Sequence, residues 1–390
     1  MRKNRSPLMK KALFFSTIVL LVGTSVGLAQ DRFSLSSDRV AIYNLAGEVR
    51  VEPGTSSSVV IEVTRGGSNA GDLRVERIND GSWQQLVVKY PADRVVYRRL
   101  GRLSRSEFGV RDDGTFGTRN LDPQLGAERA NANVSDKRGG SRVRVSGSGS
   151  GLEAYADMRI EVPRGRTVAI HLGVGKVIAT NVNGDLQIDA RSASIEATNH
   201  TGFARFDTGS GSITLRGAAG DVGLHTGSGS IHAEGVRRGV LVAHTGSGSV
   251  DVANLDVSEM EINTGSGSVT VRSAEAPVAR IETGSGGIRA DQLGASNFDL
   301  NTGSGSVRVS LTRDVQTGRI ETGSGGVNVA LPRDAGAEIT IDTGSGGIDM
   351  DASGFTVTES RRSYLRGRLG DGSGSLRVST GSGGVSFRSL

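Results

Sequence analysis

Between Asp207 and Val385 the hexapeptide Thr-Gly-Ser-Gly-(Ser or Gly)-(Val or Ile) keeps returning. Its threonines, Thr208, Thr226, Thr245, Thr264, Thr283, Thr302, Thr322, Thr343 and Thr380, stand 18, 19, 19, 19, 19, 20, 21 and 37 residues apart, the last step being about two periods. A period near nineteen is shorter than that of the helical repeats and suits one coil of a β-solenoid. With the motif threonine as zero, positions −4 and −2 are apolar, as in Met260/Ile262 and Phe298/Leu300, and so are +5 and +7, as in Val269/Val271 and Val307/Val309. Two such i, i+2 pairs on either side of a fixed Gly-Ser-Gly read as two short strands joined by a tight corner. A further apolar position near +10 (Val182, Val236, Leu255, Leu293) marks another side of the coil.

Single coils of this size cannot bury enough surface to fold alone. Each aliphatic side chain is worth roughly 1.5–3 kcal/mol on burial, against about 1–2 kcal/mol of backbone entropy per residue ordered. Stacking is therefore obligatory. A hexapeptide-repeat left-handed helix also has about eighteen residues per coil, but it places a single aliphatic every six residues, not pairs across a glycine corner. A strand returning to pair in parallel with its own successor crosses over right-handedly. The sequence predicts an all-β, single-stranded parallel β-helix (β-solenoid), right-handed, of about eleven coils with 18–21 residues per coil and an N-terminal β cap. The glycines are expected to supply φ > 0 at the corner, with threonines and serines stacking as hydroxyl ladders.

The 58 glycines among 390 residues would suit disorder if the flanking aliphatics were not periodic. Residues 1–29 read as a signal peptide: a basic start (Arg2, Lys3, Arg5, Lys10, Lys11), an apolar run from Ala12 to Val22, and Gly27-Leu28-Ala29 as a small-x-small cleavage site. An uncleaved N-terminal anchor is the alternative. Those five basic residues come out of 46, leaving 41 against 41 acids in the remainder. Formal neutrality gives no support for a nucleic-acid partner, and membrane contact is not evident once the signal is removed. Without cysteine there are no disulfides and no thiol nucleophile.

Along the chain, residues 30–91 show short alternating runs, read as the N-terminal β region. Residues 92–141 lapse into Arg, Gly, Asp, Asn and Ser, read as a basic mobile insertion. Residues 142–390 carry the β-helix, whose repeat is traceable from Met158, with an arm at 355–371 placed to cap its C-terminal end. That arm holds Arg361, Arg362, Tyr364, Arg366 and Arg368, the candidate partner-binding residues.

Position −1 gives the one column with chemical potential, running His171, Asp189, Asp207, His225, His244, Asn263, Glu282 and on to Asp342. Rungs lie about 4.8 Å apart, so Asp207, His225 and His244 are weak candidates for a shared divalent ion. No catalytic constellation stands apart from the repeat, and no cofactor is expected. Gly-Ser-Gly-Ser is not a phosphate loop: it recurs, opens no helix and lacks the terminal lysine.

Three stretches together resemble the bacterial putative-adhesin family of exported β-strand-repeat proteins: Tyr43-Asn-Leu-Ala-Gly-Glu-Val-Arg-Val51, Ile160-Glu-Val-Pro-Arg-Gly165 leading into His171-Leu-Gly-Val-Gly175, and the repeated Thr-Gly-Ser-Gly motif. The resemblance implies a parallel β-helix and a cell-envelope location, in a family of unknown function with no catalytic residues to transfer. The chain is accordingly expected to be a non-enzymatic, exported, adhesin-like binding protein of the periplasm or cell surface, with a protein or glycan partner. One alternative is a periplasmic scaffold or envelope-stress accessory acting through protein association, including self-association through the solenoid ends. Another is a carbohydrate-active β-helix enzyme.

Overall fold

The computed structural model describes residues 30–117 and 140–390, so the expected signal segment lies outside the described residues. The regular elements described are all strands but for one short 3-10 turn at Ala70–Asp72, and no helix among these residues is long and apolar enough to cross a membrane. Strands pair in parallel with the strand one coil away along two faces. On the first face, for example, Glu259–Thr264 pairs with Val240–Thr245 and Val278–Thr283. On the second, Val269–Glu275 pairs with Val250–Asp256 and Ile288–Gly294. Positions −4, −2, +5, +7 and +10 point into one continuous core, as Met260, Ile262, Val269, Val271 and Ala274 do.

The motif threonines are inside as well. Each of Thr208, Thr226, Thr245, Thr264, Thr283, Thr302, Thr322 and Thr380 donates its hydroxyl to the carbonyl at the +3 position of the neighbouring coil, at 2.8–3.0 Å. The same hydroxyl accepts the N–H of the coil's own +3 glycine at 3.0–3.3 Å. One buried oxygen thus closes the corner and ties it to its neighbour, satisfying two backbone groups that the turn would leave unpaired. The serines of the motif lie outside, exposed along the corner.

The expectation that these glycines supply φ > 0 is not met: of the motif glycines only Gly344 lies in the left-handed region. Their requirement is steric. A Cβ on Gly267 would fall on the carbonyl of Gly248, and one on Gly248 on that of Gly229, so the backbones of successive corners occupy each other's Cβ space. Positive φ belongs to a different ladder, at +9, formed by Asn181, Asn199, Gly217, Gly235, Asn254, Ser273 and Gln292 with φ of 52–72°. The geometry explains it. Positions +7 and +10 both point inward although they are an odd step apart, with two residues between them as between Val271 and Ala274, and strict alternation forbids that. One residue must leave the β region, and Asn and Gly do so at least cost.

The stack is longer than the sequence suggested and does not follow chain order at its ends. Following the parallel pairings gives thirteen rungs on each face. Two extra rungs come from the region read as a cap. Arg39–Pro53 is a full coil lying between Arg166–Thr180 on one side and Trp83–Lys89 with Tyr155–Val162 on the other. Antiparallel strands then close this end: Val59–Gly66 on Tyr155–Val162, and Arg74–Asp80 on Trp83–Lys89.

At the other end the final coil, Gly374–Thr380 with Val385–Ser389, is inserted between the coil of Thr317–Thr322 and Val327–Leu331 and that of Ala337–Asp342 and Ile348–Asp351. The chain climbs two rungs between residues 331 and 337, caps the stack, and returns to fill the gap. The arm forms a hairpin, Phe355–Arg361 with Tyr364–Leu369, laid antiparallel on Ala337–Asp342. Part of the stretch read as a mobile insertion is also ordered: Arg94–Val96 and Arg105–Val110 flank Ser141–Ser146 in a separate three-stranded sheet.

Two tests follow from the packing. Gly267→Ala is expected to cost about 2–3 kcal/mol in urea unfolding through backbone overpacking, whereas Ser266→Ala beside it, exposed, is expected to change stability by less than about 0.5 kcal/mol. Truncation before Gly374 leaves Ala337–Asp342 and Ile348–Asp351 without their parallel partners; light scattering after size exclusion is expected to show aggregation at concentrations where the full chain is monodisperse.

Candidate functional site

The −1 column is a true ladder: Tyr43, His171, Asp189, Asp207, His225, His244, Asn263 and Glu282 lie in register on successive rungs. Neighbouring side chains use one another up in pairs. Arg205 Nε meets Asp207 Oδ2 at 2.8 Å, Asp207 Oδ1 lies 3.3 Å from His225 Nδ1, and the His225 and His244 rings meet edge to face at 5.1 Å. His244 Nε2 contacts Glu261 Oε1 at 3.1 Å. Asp207, His225 and His244 are thus adjacent, but their ring nitrogens turn toward different carboxylates. Among the described residues no group of three or more His, Asp or Glu side chains is arranged to hold a metal ion.

Burial pushes the His225 imidazole below the ordinary histidine range, with Asp207 opposing that shift. His200, which takes the inward +10 position, is likewise pushed down by burial, against a 3.1 Å contact with the Phe203 carbonyl. The ladder's first histidine has a different setting. His171 is buried, stacks flat on Tyr43 at 4.3 Å, meets Phe116 edge-on at 6.3 Å, and lies 3.3 Å from Asp189.

Phe116 belongs to the feature that sequence reasoning missed. The small sheet packs its inner face, through Val95, Phe108, Val143 and Val145, onto Ala41, Tyr43, Val87 and Ala169 outside the first coils. Alternation then turns the rest outward: Arg94, Arg144 and Glu107 form one cross-strand row, Arg105 stands opposite Ser146, and Arg142 opposite Gly109. Arg144 pairs with Glu107 at 2.6 Å. The Glu107 carboxyl is held below its usual range by that hydrogen bond and charge first, then by Arg142 and Arg105. The sequence signal was present in Phe108 and in the alternation of Arg142-Val-Arg-Val145, masked by the low-complexity surroundings.

The C-terminal candidates are brought to one surface. Tyr364, Arg366 and Arg368 stand opposite Asp342, Thr340 and Glu338 on the outward side of the hairpin, while Leu365 and Leu369 point in. Arg361 pairs with Glu359 at 2.6 Å and Arg362 is exposed at the turn. At the opposite end, an open hollow of about 380 Å³ lies among Glu48, Arg50, Glu62, Arg99, Asp157 and Arg159. Its charges are matched in ion pairs, among them Arg50–Glu48 at 2.6 Å and Arg99–Asp157 at 2.9 Å.

A family model described as Toastrack DUF4097 matches residues 134–388, most of the rod. The chain belongs to the Toastrack DUF4097 family. No curated protein matches it. Among solved structures the Toastrack chain is similar to a putative cell adhesion protein from Clostridium sporogenes, at 11% identity over 93% of this chain and 99% of that one. The TM-score is 0.18.

The two depressed histidines give a pH dependence. Above the unfolded-state pKa both are neutral in either state. As pH falls below about 6.5 the unfolded chain takes up protons that the native chain refuses, and stability drops until the native pKa values are reached. Urea midpoints at pH 7.5 and pH 5 are expected to differ, and His200→Asn with His225→Asn to flatten the difference.

Proposed function

We propose that this Toastrack chain is a non-enzymatic, exported, adhesin-like binding rod of the cell envelope or surface. One observation carries the reading: the repeat's own chemistry is consumed in stacking, with threonines buried between rungs and several ridge side chains paired laterally, while outward faces at the two ends carry clustered exposed arginines, Arg94, Arg105 and Arg142 at one and Arg362, Arg366 and Arg368 at the other. The small sheet at one end and the hairpin at the other present those faces, and the family match and the sequence resemblance agree with such a role. No cofactor enters the reading. Export rests on the sequence of residues 1–29.

A periplasmic scaffold acting through protein association uses the same rod, and location separates the two. Protease shaving of intact cells, with an intracellular control, is expected to remove the mature chain; complete protection would overturn the surface reading and leave the periplasmic one. Release of reducing ends from a polysaccharide panel by the purified chain would overturn the non-enzymatic assignment.

A further inference from the structure

Three large apolar side chains are exposed among the described residues, and one of them, Leu103, is 99% exposed. It sits at the tip of the connection between the outer strands of the small sheet, in the run Arg102-Leu103-Ser104-Arg105. This is an ordered tip. Ser104 N–H donates to the Gly101 carbonyl at 2.8 Å, closing a tight turn; Gly147 N–H donates to the Ser104 carbonyl at 3.1 Å, and the Ser148 hydroxyl to the Arg102 carbonyl at 2.6 Å. A leucine held wholly in water by a braced turn gains nothing for the fold.

The surroundings of this leucine are basic. Arg102 flanks it, and Arg94, Arg105 and Arg142 stand on the adjoining outward face with Glu107, which Arg144 holds; all four are exposed, and among the described residues none has a carboxylate within ion-pair distance. Elsewhere on the rod some exposed arginines have one, as in Arg272–Asp251, Arg289–Asp291 and Arg313–Glu275, and others such as Arg216 and Arg308 stand singly, with no neighbouring apolar tip. A soluble polyanion would need only the arginines. An apolar tip beside a cationic face matches a partner that is anionic at its surface and apolar just beneath, which describes a bilayer containing acidic lipid.

We propose that the small sheet is a membrane-docking element: Arg94, Arg102, Arg105 and Arg142 engage anionic headgroups while Leu103 enters the acyl boundary. This deepens the binding-rod reading by naming a surface. It is tested on purified protein, so it stands or falls apart from where the chain resides in a cell.

The chain from Gln30 to Leu390 is mixed with phosphatidylcholine vesicles, with or without phosphatidylglycerol, and sedimented. Binding is expected only with the acidic lipid and is expected to weaken with salt. Each arginine changed to glutamine should cost about fivefold in partitioning, so Arg105→Gln with Arg142→Gln should cost about twenty-fivefold, while Arg308→Gln on the far rod leaves binding unchanged. Because the chain lacks cysteine, Leu103→Cys carrying an environment-sensitive dye reports insertion directly. A blue shift confined to acidic vesicles is expected. Equal binding to neutral vesicles, insensitivity to the two arginine changes, or binding to dextran sulfate with no blue shift on vesicles would each overturn the proposal, the last making the face a soluble-polyanion site.

Discussion

Everything else in the rod depends on how closely two glycine corners can approach. Successive corners pack carbonyl against Cα, with no space for a Cβ, and the buried threonine hydroxyl bridges them at 2.8 Å. That contact sets the rung spacing at the corner, fixes the register of both faces, and decides which side chains point inward. The aliphatic core supplies most of the favourable free energy, but it would tolerate slippage between similar valines and isoleucines. The hydroxyl and glycine contacts discriminate one register from the next, because a polar group buried one position out of place is left unpaired.

The repeat was legible because it is local. Inward positions such as Met260, Ile262 and Val269 announce themselves by their spacing from Thr264. What the sequence hid was relational. Whether a glycine is present for its φ or for its neighbour's carbonyl cannot be told from one coil, since Gly265 and Gly267 look alike under either reason. The left-handed ladder was written as Asn254-Leu255 and Ser273-Ala274, in residue types too varied to be noticed without knowing that Leu255 and Ala274 point inward. The inserted final coil left its trace in the last two steps between motifs: 21 from Thr322 to Thr343, which supplies the length needed to skip a rung, and 37 from Thr343 to Thr380, which spans the capping hairpin.

Net charge reaches only so far. Balanced totals of 41 and 41 describe the chain's far field, and they exclude a strongly basic rod. They are silent about arrangement. On parts of the rod arginines and carboxylates occupy neighbouring rungs or alternate positions and neutralise each other, as Arg272 and Asp251 do, whereas the outward face of the small sheet sets four arginines, Arg94, Arg105, Arg142 and Arg144, around a single acid, Glu107. Only strand pairing, which sends Val143 and Val145 inward and Arg142 and Arg144 outward, turns a basic-looking loop into a surface with a chemistry of its own.

Among the described residues Ala337–Asp342 and Ile348–Asp351 have no parallel partner other than the last coil, and Arg39–Pro53 waits likewise for strands more than a hundred residues later. A polypeptide emerging from a ribosome or a translocation pore cannot therefore finish this rod one coil at a time. Its middle can zip up as it appears, but both ends of the stack stay incomplete until late segments arrive, the far end until Gly374–Ser389 is through. Closure of the stack thus records that the chain has been delivered through Ser389, and a chain interrupted before it carries an unfilled seam for a protease to find.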